Sequence, residues 1–217
     1  NQLDRIRVQA EEFVRGGAKH LVISDEGISK RRLSIPVILA LGAVQSHLTS
    51  LGIRKFVSIH VKSSECLDTH YFAVLIGAGA TTVNPYLTLD SIHQRFGKGL
   101  FGKFSFDECI QRYVKAINDG LLKIMSKMGI STVRSYIGSQ IFEAIGLNKS
   151  VIDEYFTATS SRVEGIGLPA IASDARERHV SAFAPRDDEK GQALDPGGVY
   201  QWRAKGERHL FSPTAIH

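Results

Sequence analysis

His60, Cys66, Asp68 and His70 fall within one short window, and all four side-chain types ligate metals. Their spacing matches none of the paired cysteine and histidine patterns of zinc sites. The surrounding pattern places His60 inside a strand and the other three near the start of the next helix. Gly77-Ala78-Gly79-Ala80-Thr81-Thr82 resembles a dinucleotide-binding turn. That fingerprint must follow a strand and open a helix whose N-terminus faces pyrophosphate. Here the order is reversed, because the glycines close a helix and open a strand over 81–84, with Thr82 at the third glycine position. Serine, histidine and aspartate occur without a G-x-S-x-G elbow or any local arrangement that activates a nucleophile. The basic and aromatic stretch from Arg95 to Phe104 has Leu100 where an RNA-binding strand needs a stacking ring, so it reads as a loop with aromatic anchors. The chain is therefore expected to carry no catalytic, cofactor-binding or metal-ligating residue of its own.

Composition narrows the field further. The formal charge of +5 comes from lysines and arginines spread along all 217 residues, with Lys30-Arg31-Arg32 as a short solvated run, and no nucleic-acid partner is expected. No apolar run approaches the roughly 20 residues that span a bilayer, and the N-terminal residues lack the pattern of a signal peptide. Cys66 and Cys109 lie far apart, as befits reduced thiols in a cytoplasmic chain, and two separated cysteines cannot bind a cluster alone.

The elements that position these residues follow a repeated pattern. Four times an amphipathic segment ends near a glycine and leads into a short apolar strand, in RGGAKHLVIS, SLGIRKFVSI, LIGAGATTVN and KMGISTVRSY. Glycine suits a helix end because one residue there often adopts the left-handed conformation. Val, Ile and Phe in the strands point to a sheet buried on both faces. Helices are expected over 3–15, from Ile35-Pro36 onward, over 106–128 as the longest, and over 140–145, 150–156 and 169–183. Ser105 or Asp107 is available as a cap for the longest. The fold class is α/β, built of parallel β/α units in an open sheet or partial barrel, with an extended C-terminal connector over 185–198. The segments 199–203 and 208–211 have strand-like patterns that fit either a hairpin or longer-range packing.

Polar residues follow each expected strand. In parallel β/α architectures the carboxyl ends of strands share an edge at which ligands or partner domains meet the protein. Asp25, Ser63, Asn84, Tyr86, Ser135 and Tyr136 mark that edge here.

VISDEG, HYFAVLIGAGATTVNPYL and above all GLLKIMSKMGISTVRSYIGSQIFEAIGL resemble the large chain of glutamate synthases. VIDEYFTATSSRVEGIGL and GGVYQWRAKGERH extend the similarity over nearly the whole chain. The resemblance implies the later half of that family's central domain, residues 1–157, followed by a helix and connector, 158–217, that leads towards the FMN-binding synthase domain. It implies a parent enzyme that makes L-glutamate from L-glutamine and 2-oxoglutarate, with FMN and an iron–sulfur cluster held outside this segment. The partners implied are the glutaminase and FMN domains of the same parent chain. The six edge residues then become a candidate interdomain or ammonia-tunnel surface. An independent β/α domain that binds flavin or phosphate is the alternative. Glu26 and Ile137 stand where arginine is common in the family, and Gln45-Ser46-His47 replaces a histidine-rich stretch.

Overall fold

Short apolar strands, each following a helix that ends near glycine, set the architecture. β1 (His20–Ser24), β2 (Ser58–Lys62) and β3 (Thr82–Asn84) pair in parallel in the order β1-β2-β3. Leu21 lies opposite Ile59, and Val61 opposite Val83, so the apolar positions share one face. The helices α1 (Gln2–Arg15), α2 (Val37–Ser50) and α3 (Thr69–Gly77) cover that face. Ala10, Val14, Leu41, Val44, Phe72 and Leu75 pack there with Leu21, Ile59 and Val61.

We describe the fold from a computed structural model, whose described residues are 2–184. The chain divides into a unit from Asn1 to Ala182 and another from Phe183 to His217. The expected connector over 185–198 and the segments 199–203 and 208–211 lie outside the described residues. Among the described residues no helix is long and apolar enough to cross a membrane.

The sheet differs from expectation on its second face. Val22 is 64% exposed, and His20, Ser24, Thr82 and Asn84 are exposed too, so the strands are not buried on both faces. The reason is topological. Parallel crossovers keep one hand, so strands added in sequential order receive their helices on the same side. Across the open face His20 Nδ1 lies 2.9 Å from His60 Nε2, and His60 Nδ1 lies 2.7 Å from Thr82 Oγ1.

The fourth copy of the pattern forms no strand. Thr132 caps a short helical turn, α6 in chain order (Val133–Tyr136), by accepting a bond from the Ser135 amide. Tyr136 is drawn onto α3, where its hydroxyl donates to the Ala73 carbonyl at 3.1 Å. The segment expected as a helix over 140–145 is instead largely strand, β4 (Glu143–Leu147). Gly138 and Gln140 both take positive φ and stop any helix before it forms. β4 pairs in parallel with β5 (Ser160–Ile166), which the sequence pattern left unassigned. This pair joins residues on either side of position 157, where a division of the chain is expected.

The other helices fall close to expectation. α4 (Tyr86–Gly97), which the sequence pattern did not single out and which takes in Arg95 to Gly97 of the expected loop, follows β3, and α5 (Phe106–Lys127), with 22 residues, is the longest as expected. Ser105 opens α5 with a capping box, accepting from the Glu108 amide while Glu108 accepts from the Ser105 amide. Helices α7 (Lys149–Tyr155) and α8 (Leu168–Ala182) complete the described chain.

α2 lies at the centre. Its sequence VILALGAV is apolar all round, as a helix covered on several sides must be. One side packs on the sheet, and Leu39 and Ala43 pack with Val151, Ile152, Tyr155 and Phe156 on the other. Gly42 allows the close approach of α7. A Cβ there would stand 2.5 Å from the Tyr155 carbonyl oxygen and 2.7 Å from the Phe156 ring. Gly42→Ala is therefore expected to lower unfolding free energy by about 1–3 kcal/mol, the usual range for overpacking. Urea denaturation measures it, and an unchanged midpoint would show that α7 does not sit as described.

Candidate functional site

Asp25 follows β1 directly and is 8% exposed. Its amide donates to the Lys62 carbonyl at 3.3 Å, and the Ser63 amide donates to the Asn84 carbonyl at 3.0 Å, so the ladder runs on past the strand ends. A carboxylate at such depth must be satisfied by donors. Ser63 Oγ donates to Asp25 Oδ2 at 2.7 Å, Ser64 Oγ at 2.9 Å, and the Ser64 amide reaches both carboxylate oxygens. Ser63 itself is fully buried.

The network continues into two helix starts. Ser63 Oγ accepts from the Glu65 amide at 3.1 Å. The Glu65 carboxylate accepts from the Val37 amide, in the uncapped first turn of α2, and from the Tyr71 hydroxyl on α3. Asp68 caps α3 by accepting from the Tyr71 amide at 2.9 Å. Tyr86 opens α4 beside Asp25, and burial first, then bonding to the Asp25 carboxylate, holds its phenol proton more tightly than usual. Lys62 pairs with Glu26, and its ammonium stands 5.8 Å from the centre of the Tyr86 ring.

The structure thus brings together Asp25, Ser63, Asn84 and Tyr86 of the expected edge. Ser135 and Tyr136 are elsewhere, in the turn packed against α3. Their separation follows from the loss of the fourth strand: without it, no strand end places them on the shared edge. Tyr71 is the participant that sequence reading missed. Its signal was its place three residues after a capping aspartate, which directs it back towards Glu65.

The other sequence candidates resolve into structural roles. His60 lies in the strand ladder, and among the described residues no group of three or more His, Cys, Asp or Glu could hold a metal. Cys66 is fully buried, and burial with Glu65 and Asp25 nearby pushes its thiol up to about 12. Both cysteines are free. The Gly77 to Thr82 stretch closes α3 and leads into β3. Gly79 has φ +120°, and Gln45 fills the space where a Cβ would be. Arg54 donates there to Gln45 Oε1, the Val57 carbonyl and the Gly79 carbonyl. The ring of Phe96 packs on Phe106, and Arg112 lies 4.0 Å over Phe104, so the Arg95 to Phe104 stretch ties α4 to α5.

The geometry defines a parallel α/β module whose strand ends are locked by a buried carboxylate network. Comparison with known proteins places the module: the chain belongs to the glutamate synthase central domain family, whose model matches residues 1–148. It is 49% identical over 215 residues to the glutamate synthase [NADPH] large chain of Azospirillum brasilense, covering 99% of this chain and 14% of that one. It is 44% identical over 209 residues to the large chain of Bacillus subtilis (strain 168), covering 96% of this chain and 14% of the relative. The ferredoxin-dependent glutamate synthase of Spinacia oleracea is 38% identical over 225 residues, 98% of this chain. The chain spans about 14% of the length of the bacterial relatives.

The network has a consequence at high pH. Cys66, Tyr71, Tyr86, Tyr113 and Tyr136 all hold their protons above their ordinary values, chiefly through burial. A raised folded-state value means that the native state binds more protons than the unfolded state in that interval. The associated stability is fully present below the ordinary values, 9.0 for the thiol and 10.0 for the phenols, and is lost as pH rises through the folded values. Urea midpoints should hold level between roughly pH 8 and 9 and decline above. Cys66→Ala should delay the onset of that decline towards the phenol range. Midpoints that stay level throughout the phenol range would contradict the burial of these groups.

Proposed function

We propose that this chain is the central-domain segment of a glutamate synthase, in which it carries structure and guides ammonia between two reaction centres that it does not itself build. The parent enzyme would make L-glutamate from L-glutamine and 2-oxoglutarate. The names of the relatives and the small share of their length that this chain spans support a segment of a longer enzyme. Residues 1–157 would form the β/α part, and 158–217 the helix and connector towards the FMN-binding part, with β5 reaching back to its partner β4.

The observation that carries the reading is the convergence of Asp25, Ser63, Asn84 and Tyr86 at one edge of the sheet. Strand ends of parallel sheets are where β/α modules meet ligands and neighbours. Asp25 is saturated with donors, so its role is to hold the edge in one shape. Tyr86 is less buried and presents its ring beside the Lys62–Glu26 pair, where a neighbouring domain or a tunnel wall would meet it. Asn84 lies beside it at the end of β3. Ser135 and Tyr136 serve in this reading as a packing turn behind α3.

The FMN and iron–sulfur cluster of such an enzyme find no fitting site among the described residues. Both cysteines are buried, and the glycine-rich turn ends a helix instead of opening one at a phosphate. No step of the chemistry is assigned to this segment.

The test uses the intact parent enzyme with Tyr86→Ala. Three rates are measured: glutamine hydrolysis, glutamate made from supplied ammonia, and glutamate made from glutamine. The expected result is a several-fold loss confined to the third, because the two reaction centres stay intact while their coupling fails. Equal loss of all three, or no loss of any, would remove this edge from the ammonia path.

A further inference from the structure

A cleft of about 470 Å³ opens beside Asp25, between α1, the loop after β1 and the start of α2. Its size lies within the range of small-molecule sites. Two arginines are among its lining residues, Arg5 from α1 and Arg32 from the turn that follows β1. Among the described residues neither side chain has a hydrogen-bond or ion-pair partner, whereas Arg7, Arg15, Arg162 and Arg178 are each paired with a carboxylate. The carboxylate within the cleft, Asp25, already accepts from Ser63 and Ser64. The Glu65 carboxylate likewise already meets the first turn of α2. Both internal anions are therefore engaged, and the two arginines are left facing a space.

The position of Arg32 is built into the fold. Ser29 and Arg32 exchange both backbone hydrogen bonds across a tight turn, which directs Arg32 back over Gly27. A Cβ on Gly27 would stand 3.2 Å from the centre of the guanidinium, so glycine leaves the room that the arginine occupies. The same lining carries Ile6, Ile23, Ile28, Leu33 and Ile35 beside the polar Gln2, Ser24 and Ser34. Guanidinium forks match carboxylates in a bidentate manner, and aliphatic side chains in the same cleft suit a short hydrocarbon chain.

We propose that this cleft is a binding site for a short aliphatic dicarboxylate, held by Arg5 and Arg32 with its hydrocarbon part against the isoleucines. The cleft shares Asp25 with the edge of the channelling reading, but its test does not depend on coupled activity.

The full chain is titrated calorimetrically, at fixed ionic strength, with succinate, with butanoate and with inorganic phosphate. Succinate is expected to bind saturably at one site per chain, and butanoate and phosphate at least about tenfold more weakly. Arg5→Gln with Arg32→Gln should weaken succinate by about tenfold or more, the scale for losing charge-assisted bonds. Gly27→Ala, which displaces only the Arg32 head, should give a smaller loss. The melting midpoint of each variant shows that it is folded, and Arg5→Lys with Arg32→Lys keeps the charge if the glutamine pair does not fold. Absence of saturable succinate binding overturns the proposal. So does phosphate or butanoate binding as tight as succinate, or undiminished succinate binding in the folded glutamine or lysine pair.

Discussion

The placement of α2 between two packed layers is the constraint on which the remaining structure depends. A helix with VILALGAV in its first turns has no polar stripe to give to water, so it must be covered on both sides. The sheet covers one side and α7 the other. This fixes where β4 and β5 run, because β4 leads directly into α7 and β5 follows it. It also fixes the first turn of α2, which lies next to the strand ends. Pro36 supplies no side-chain cap to that turn, and Glu65 from the loop after β2 supplies it instead. The central helix and the polar edge are therefore joined by one carboxylate.

Two polar clamps hold the sheet at its opposite ends. At the carboxyl ends Asp25 gathers Ser63 and Ser64, and at the amino ends Arg54 gathers Gln45 and the carbonyls of Val57 and Gly79. Each is a polar side chain drawn into partial or full burial, and burial lowers the Arg54 pKa from its ordinary value. Such groups are costly to bury alone and costly to disturb once bonded. Because each clamp reaches across neighbouring connections, it fixes the relative register of loops that hydrophobic packing leaves free. The open sheet face has no equivalent clamp in its middle, only the ladder from His20 through His60 to Thr82.

What the sequence made legible and what it concealed divide along physical lines. The first three glycine-to-strand junctions were readable because local rules suffice: a helix end needs glycine, and a buried strand needs branched apolar residues. The capping box at Ser105 and Glu108 is equally local. The convergence of Asp25, Ser63, Asn84 and Tyr86 followed from parallel topology, which puts successive strand ends on one edge. The fourth junction read like the other three but failed, because Thr132 offers its hydroxyl to the Ser135 amide and Tyr136 finds a buried carbonyl on α3. That outcome depends on α3 being present at long range, which no local pattern records. β4 and β5 were hidden for the same reason. Their pairing joins segments separated by α7, and bulges interrupt its register, so neither strand shows clean alternation. The open face of the sheet was concealed because Val22 has the composition of a buried residue while standing 64% exposed.

Glu26, Gln45 and His47 fall within polar networks outside the core. Glu26 pairs with Lys62, and it also accepts from Ser24 Oγ at 3.3 Å. Its charge is thus answered by a cation on the next strand, and the pair lies beside Tyr86. Gln45 and His47 on α2 each have a specific partner. Gln45 receives Arg54 and fits against the backbone of Gly79, and His47 lies 2.9 Å from the Glu11 carboxylate on α1. Glu11 is held below its ordinary value by Arg15 first and His47 second. The positions of α1, α2 and the strands are set by the apolar cluster, which none of these residues enters. The scaffold and the charges at its strand ends therefore rest on separate sets of side chains.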